Sequence, residues 1–369
     1  MSDSHSLPTG KDVAKQAGVS VTTVSRVLNN MPNVRPEVRD RVLEAVQALH
    51  YHPSRTARRL RAKRSSVLGL IIPDIQNPFF TSVARGIEDV AYRRDFSIVL
   101  CNSDENADKE RLYVEVMCAE NVAGVILATT SESSPGVSLL MDCGIPFVAV
   151  DRSIAGADVD TVLVSNAEAV LDAVSHLLDL GHRRIGYISL PLNLTVGSER
   201  HTGYWQAFEG RGLAVAPELI RIGDAHQASG YRCALELLSL DPPITALFVA
   251  NNLMTLGALD AIHQCGVRVP NQLSLIGFDD MPLAAYLQPP LTTVAQPTYQ
   301  LGQKAAKLLF DRIEHPEKPV EVVRLKTKLV VRRSTCQLSG TAQRSALTAA
   351  QNALPPKEVI ARTGAVYSR

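Results

Sequence analysis

Seven residues stand at or just past apolar runs, where their side chains could meet a ligand. They are Phe79 and Phe80 after IIPDIQNP, Thr130 closing VILATT, Asp151 after PFVAV, Arg200 within TVGSERHTG, Asn251 after ALFVA and Asp279 after LIGF. Carboxylates and amides exchange hydrogen bonds with vicinal hydroxyls, an arginine clamps an anomeric oxygen or an acid group, and aromatics cover a sugar face. The set suits a polyol. Residues for bond-making chemistry do not stand out: there is no GxGxxG after a strand, no GxxxxGK[ST], no HExxH and no GxSxG. The histidines are scattered, and His176 and His182, flanking a helix end, read as surface or capping groups. No metal, no cofactor and no catalysis are expected.

The elements that position these residues alternate between two periods. Continuous Val/Ile/Leu runs, VLGLII (67–72), SIVLC (97–101), GVILAT (124–129), PFVAV (146–150), RIGYISL (184–190), ALFVAN (246–251) and LSLIGF (273–278), read as strands buried on both faces. Between them lie amphipathic stretches such as Phe80, Val83, Ala84, Ile87, Val90 and Ala91, which share one helical face. This is α/β patterning over a segment too long for one sheet, so two doubly wound lobes are expected. Ligands bind beyond the carboxyl ends of parallel strands, which is where the seven residues fall.

Ahead of this acidic part lies a small basic one. Residues 1–64 carry 12 Lys/Arg against 5 Asp/Glu, and the remainder 26 against 32, a split that the overall net charge of +1 conceals. Thr9 and Asp12 have the form of a capping box before a helix to Ala17, with Val13, Ala14 and Ala17 on one face. Gly18 ends it, and Ser20 can cap a second helix, Val21 to Asn29. There Val24, Val27 and Leu28 point inward, while Val21, Thr22, Ser25, Arg26 and Asn29 point out. Pro36 starts a third, with Val38, Val42, Val46 and Leu49 on its inner face. A helix, a glycine turn and a helix with a polar outer face fit a nucleic-acid reader.

The stretches DVAKQAGVSVTTVSRVLNN and NVRPEVRDRVLEAVQALHYHPSRTARRL closely resemble the DNA-binding headpiece and hinge of the lactose repressor family of bacterial transcription regulators. The resemblance puts Val21 and Thr22 at positions that vary with operator sequence and Arg26 at the base-reading arginine. It gives Thr9, Ser20, Ser25 and Asn29 phosphate or base-edge contacts. It also makes 52–64 a hinge helix in the minor groove, Leu60 its wedge with Ala57 beside it, and Arg55, Arg58, Arg59 and Arg61 neutralising phosphates. To about Gln337 the chain resembles the sugar-binding core that these regulators share with periplasmic binding proteins. The implied seven residues are the effector contacts already named. Two departures stand out: Ala225 replaces a frequent aromatic, and Asn251-Asn252 replaces Asn-Asp. Leu194 and Val196 lack the polar groups expected of a purine binder, which favours a sugar, sugar acid or sugar phosphate.

The expected organisation is a helix-turn-helix headpiece (1–51), a hinge (52–64), an effector-binding core (65–340) and a disordered tail (341–369). Within the core the N-lobe takes 65–164 and 296–323 and the C-lobe 165–295 and 324–340, with crossings near Ser165, Gln296 and Arg324. The expected partners are double-stranded operator DNA, a small-molecule effector and a second copy of the chain. In the tail, Leu347 and Leu354 make one heptad before Pro355 and Pro356, too little for a coiled coil, hence a dimer. No apolar run approaches the roughly 20 residues that span a bilayer and the start lacks a signal-like stretch, so a cytoplasmic protein is expected. Six cysteines without a CxxC pair agree, reading as reduced thiols. The function implied is a repressor released from a pseudo-palindromic operator by a sugar-like inducer. The alternatives are a co-repressed regulator, or a cytosolic sugar-binding receptor with no DNA role.

Overall fold

The computed structural model describes residues 8–28, 31–51 and 65–338, and the chain divides into two compact units, Met1–Ser65 and Ser66–Arg369. Asn29, the hinge 52–64 with Ala57 and Leu60, and the tail 341–369 lie outside the described residues.

In the first unit three helices close a small core: α1 (Gly10–Ala17), α2 (Val21–Leu28) and α3 (Pro36–Ala48). The Thr9 amide and hydroxyl both donate to Asp12 Oδ2, at 2.7 and 2.6 Å, and these bonds hold the Asp12 carboxyl below its usual range. Gly18 takes φ +62°, a left-handed stop that places α2 across α1. Ser20 Oγ accepts from the Thr23 amide at 3.1 Å, capping α2. Val13, Ala14, Ala17, Val24, Val27, Val42 and Ala45 form the core, while Val38 is half-buried outside it.

Among the described residues the second unit holds twelve strands in two six-stranded sheets. The strands β1 (Val67–Ile72), β2 (Ser97–Asn102), β3 (Gly124–Leu127), β4 (Phe147–Val150), β5 (Thr161–Val164) and β11 (Val322–Leu325) make one, in the order β11-β5-β4-β3-β1-β2. The other contains β6 (Ile185–Ser189), β7 (Ile220–Ile222), β8 (Ala246–Val249), β9 (Ser274–Phe278), β10 (Thr292–Ala295) and β12 (Lys328–Val330), ordered β12-β10-β9-β8-β6-β7. The orders correspond strand for strand. Only β12 runs antiparallel to its neighbour. Three crossings join the lobes: at Ser165 after β5, at Gln296–Pro297 after β10, and at Lys326–Thr327 after β11, the last beyond the expected Arg324, which belongs to β11.

Helices cover both sheets: α4 (Pro78–Tyr92), α5 (Ala107–Ala119), α6 (Pro135–Asp142) and α11 (Thr298–Glu314) in the N-lobe, with α7 (Asn166–Asp179), α8 (Thr195–Glu209), α9 (Gln227–Leu238) and α10 (Asn252–Gln264) in the C-lobe. Among the described helices three pairs pack backbone against backbone, α7 and α8 among them, where a Cβ on Gly203 would stand 2.2 Å from Ala167 O. A Cβ on Gly302 would stand 2.0 Å from Val83 O across α4 and α11, and one on Gly257 would stand 2.0 Å from Gln227 O across α9 and α10. Every strand in the middle of a sheet is buried on both faces, β1 and β9 along their whole length, whereas edge strand β2 leaves Val99 and Leu100 exposed.

His182 is neither a surface nor a capping residue. It is fully buried, its Nδ1 3.0 Å from Thr245 Oγ1 and its Nε2 3.1 Å from Cys336 O, tying the strand-edge segment at 336 under the C-lobe. All six cysteines are free thiols; Cys101, Cys233 and Cys265 are buried and Cys143 is exposed.

Candidate functional site

On the headpiece, α2 presents Val21, Thr22 and Arg26 to solvent, with Ser25 half-buried beside them. Thr9 and Ser20 spend their side chains on caps, so what they offer a phosphate is mainly the amide-rich helix start behind them. Arg26 carries the donors for a bidentate contact.

Between the lobes lies a narrow cleft. Six of the seven expected residues line it: Phe79, Phe80, Asp151, Arg200, Asn251 and Asp279. Thr130 is not among them. Its amide donates to Glu110 Oε2 at 2.6 Å, and the same buried carboxylate takes the Ser134 hydroxyl, so Thr130 belongs to the loop that follows β3. Asn251 is spent on structure as well as facing the cleft: Oδ1 accepts from the Met254 amide at 2.8 Å and Nδ2 donates to Ala225 O at 2.9 Å.

The centre is a pair of carboxylates in corresponding places of the two sheets. Asp151 follows β4 and Asp279 follows β9; both are left-handed, at φ +70° and +72°. The amide of each donates at 2.9 Å to the next strand, to Val162 O and Val294 O respectively. Left-handed backbone is tolerated by Asp better than by most residues, and it turns each side chain toward the cleft side of its sheet. Burial pushes the Asp151 carboxyl up to about 6 against the pull of Arg152 and Arg200. Asp279 is raised by burial too, opposed by Arg200 and by the Gln296 amide, which donates to it at 2.6 Å.

Arg200 is fixed before any ligand arrives. Its Nε donates to Asn166 Oδ1 at 2.8 Å, one Nη donates to Ala250 O at 2.6 Å, and the guanidinium lies 3.6 Å over the Phe278 ring. Sequence reasoning missed Glu105, Arg152 and Gln296. Arg152 makes a two-pronged pair with Glu105, at 2.7 and 2.5 Å, and also holds Thr129 O. Adjacency to Asp151 was the available signal for Arg152; Glu105 sits in a loop with none. Gln296 keeps its Oε1 buried and unpartnered at the second crossing.

The lobes touch through polar contacts. Asn252 Nδ2 donates to Asn77 Oδ1 at 2.7 Å, and Thr195 Oγ1 meets Ser153 Oγ at 2.7 Å and Glu132 Oε1 at 2.8 Å. At the rim Asp224 raises His226 to about 9. Counting His226 as protonated, Asp74, Glu105, Asp151 and Asp279 exceed Arg152, Arg200 and His226 by one charge. Val196 and Leu190 complete the wall. Such a site accepts hydroxyls on an uncharged molecule better than it accepts a second anion.

Residues 9–54 match the profile described as bacterial regulatory proteins, lacI family, and residues 174–335 match that of a periplasmic binding protein-like domain. The chain is 34% identical over 334 residues to the HTH-type transcriptional repressor PurR of Mannheimia succiniciproducens, covering 90% of this chain and 100% of that one. It is 39% identical to the ribose operon repressor of Halalkalibacterium halodurans, covering 89% and 97%. The solved lac repressor dimer bound to operator and the anti-inducer ONPF superposes with a TM-score of 0.81, at 27% identity over 90% of this chain and 100% of that one. Among the described residues no helix is long and apolar enough to cross a membrane.

Proposed function

The chain belongs to the lacI family of bacterial regulatory proteins and is a DNA-binding transcriptional regulator, and on that premise we propose that it is a cytoplasmic repressor released from its operator by a neutral sugar. The observation that carries the ligand class is the buried Asp151–Arg200–Asp279 arrangement in a cleft whose carboxylates outnumber its cations. Carboxylates accept from sugar hydroxyls, Arg200 donates to a ring or anomeric oxygen, and Phe79 and Phe80, set edge to face at 4.9 Å, offer an apolar wall. Sugar acids and sugar phosphates, admitted by the sequence, fit the charge less well. A nucleobase would find no polar partner at Leu190 and Val196, whereas ribose, named in the ribose operon repressor, suits the cleft.

Thr22, Ser25 and Arg26, with Val21, are the face that would enter the major groove, and one headpiece reads one half-site. A dimer on a two-fold operator follows from that geometry. Residues 52–64 would then be the segment whose order depends on both DNA and the lobes. Effector closing the lobes on itself changes where that segment starts, and operator affinity falls.

The test is a thermal-shift screen of neutral aldoses, disaccharides, sugar acids and nucleobases against the full chain, followed by operator titration with each hit. A neutral sugar should raise the melting temperature and weaken operator binding. Arg200→Ala should lose both effects while keeping effector-free operator affinity. A nucleobase hit alone would sink the ligand class, and a sugar that tightens operator binding would reverse the sign of control.

A further inference from the structure

Arg200 is held from the side of the crossings by a run of side chains that ends in the opposite lobe. Its Nε donates to Asn166 Oδ1 at 2.8 Å, and Asn166 is almost completely buried at the start of α7, one residue past the first crossing. The other end of that amide, Nδ2, donates to Glu199 Oε2 at 3.0 Å. The same Nδ2 reaches Val164 O only at 3.4 Å, so Glu199 is the shorter of the two bonds that set which way the Asn166 amide faces and present Oδ1 to Arg200. The second oxygen of Glu199, Oε1, takes Arg324 Nη2 at 2.7 Å. Arg324 lies in β11 of the N-lobe, whereas Glu199 lies in α8 of the C-lobe.

The far end is anchored on the crossings themselves. Arg324 Nη1 approaches Val164 O at 3.4 Å, and the Ser165 amide donates to Leu325 O at 3.0 Å, so the first and third crossings are laced together. The second crossing is bonded to the same site from the other side, through Gln296 and Asp279. A change in the angle between the lobes therefore displaces Arg324 from Glu199. The pair is partly exposed, 45% and 22%, and such pairs are weak enough to break in a motion that an effector can drive.

We infer that Glu199 is a positioning residue that makes the grip of Arg200 on effector depend on the angle between the lobes. The inference rests on the cleft being the effector site. It assigns Glu199 no contact with effector. With Arg324 in place, Glu199 holds Asn166 and Asn166 holds Arg200 flat over Phe278. With the lobes rotated, Glu199 loses one partner, the Asn166 amide loses its orientation, and Arg200 loses its Nε anchor.

The experiment compares wild type, Glu199→Gln, Arg324→Gln and the double variant as full chains. In ligand-free protein, hydrogen exchange across 164–170 and 195–203 should rise at least fivefold in each single variant and no further in the double, with exchange in the headpiece unchanged. With d-ribose, or whichever neutral sugar binds wild type, the effector-induced change in operator affinity should shrink about tenfold in each single variant, again without further loss in the double. Effector-free operator affinity should stay within twofold. Unchanged exchange, losses that multiply in the double variant, or a uniform rise in exchange over the whole core would each overturn the role of Glu199. Should Arg200→Ala leave sugar affinity intact, the effector reading itself is wrong; should it abolish affinity while both single variants behave as wild type, only the link through Glu199 is lost.

Discussion

Asp151 should make sugar binding depend on pH within the physiological range. Its carboxyl titrates at about 6, so at pH 5 about one molecule in eleven carries the carboxylate that accepts a sugar hydroxyl, against nearly all at pH 8. Affinity should fall about tenfold over that interval, or about 1.4 kcal/mol. His226, at about 9, stays protonated throughout and contributes no slope. Asn is the right replacement because it tolerates the left-handed backbone at this position while removing the titration. Asp151→Asn should bind more weakly at pH 8 and show a shallower slope, the remainder belonging to Asp279, which burial also raises. The stability of the free protein runs the other way. A carboxyl whose folded pKa is raised from 3.8 to about 6 favours the folded state when protonated. That contribution is complete below pH 3.8 and is lost as pH rises through 6, with about 1.4 kcal/mol lost between pH 5 and 7.5. The single tryptophan, Trp205, sits on α8 five residues past Arg200 with its Nε1 2.8 Å from His201 Nε2, so intrinsic fluorescence can follow both binding and melting. Equal slopes in wild type and variant would refute the assignment of Asp151 as an acceptor of sugar hydroxyls.

Three further outcomes are expected. Gly302→Ala drives a methyl group into Val83 O, and separating α4 from α11 should lower core stability by about 1 to 3 kcal/mol, read by denaturant unfolding of the core transition. Arg26→Ala should weaken binding to the best operator by about 1 to 3 kcal/mol and flatten discrimination at one base pair in a sequence-variant panel; a uniform loss across all sequences would make Arg26 a phosphate contact. Asn252→Asp puts a carboxylate where Asn252 now donates to Asn77 Oδ1 and beside Asp279, so the lobes should part in the free protein, visible as a larger radius in small-angle scattering.

Most strands that were legible are buried on both faces, where burial forces a continuous apolar run: β1, β3, β4, β6, β8 and β9; edge strand β2 was legible too, as SIVLC, while β5, equally buried but only four residues long, was not. Those passed over are shorter, more polar or at sheet edges. TTVA of β10 reads as a polar segment, and β11 and β12 carry Arg324 and Lys328 toward solvent. The cleft was legible wherever a polar residue follows an apolar run, as at Asp151 and Asp279. Glu105 was not, because its importance comes from a partner 47 residues away, Arg152, and nothing local marks it. His182 was misread for the same reason: its environment is supplied by Thr245 and Cys336. Thr130 shows the converse error, a residue in the right place along the sequence whose amide is claimed by Glu110.

The backbone contacts at Gly302 and Gly257 bear on how such a protein diversifies. Because α4 meets α11 and α9 meets α10 through main chain, the packing of these pairs does not depend on cleft side chains such as Ala225 or Val196. Those positions are therefore open to drift, and a lineage can exchange one effector for another by single substitutions around the cleft while the lever that carries the signal is inherited intact. Replacements at the two glycines should be rare in a selection for altered inducer response, and changes at cleft positions such as Ala225 or Val196 common.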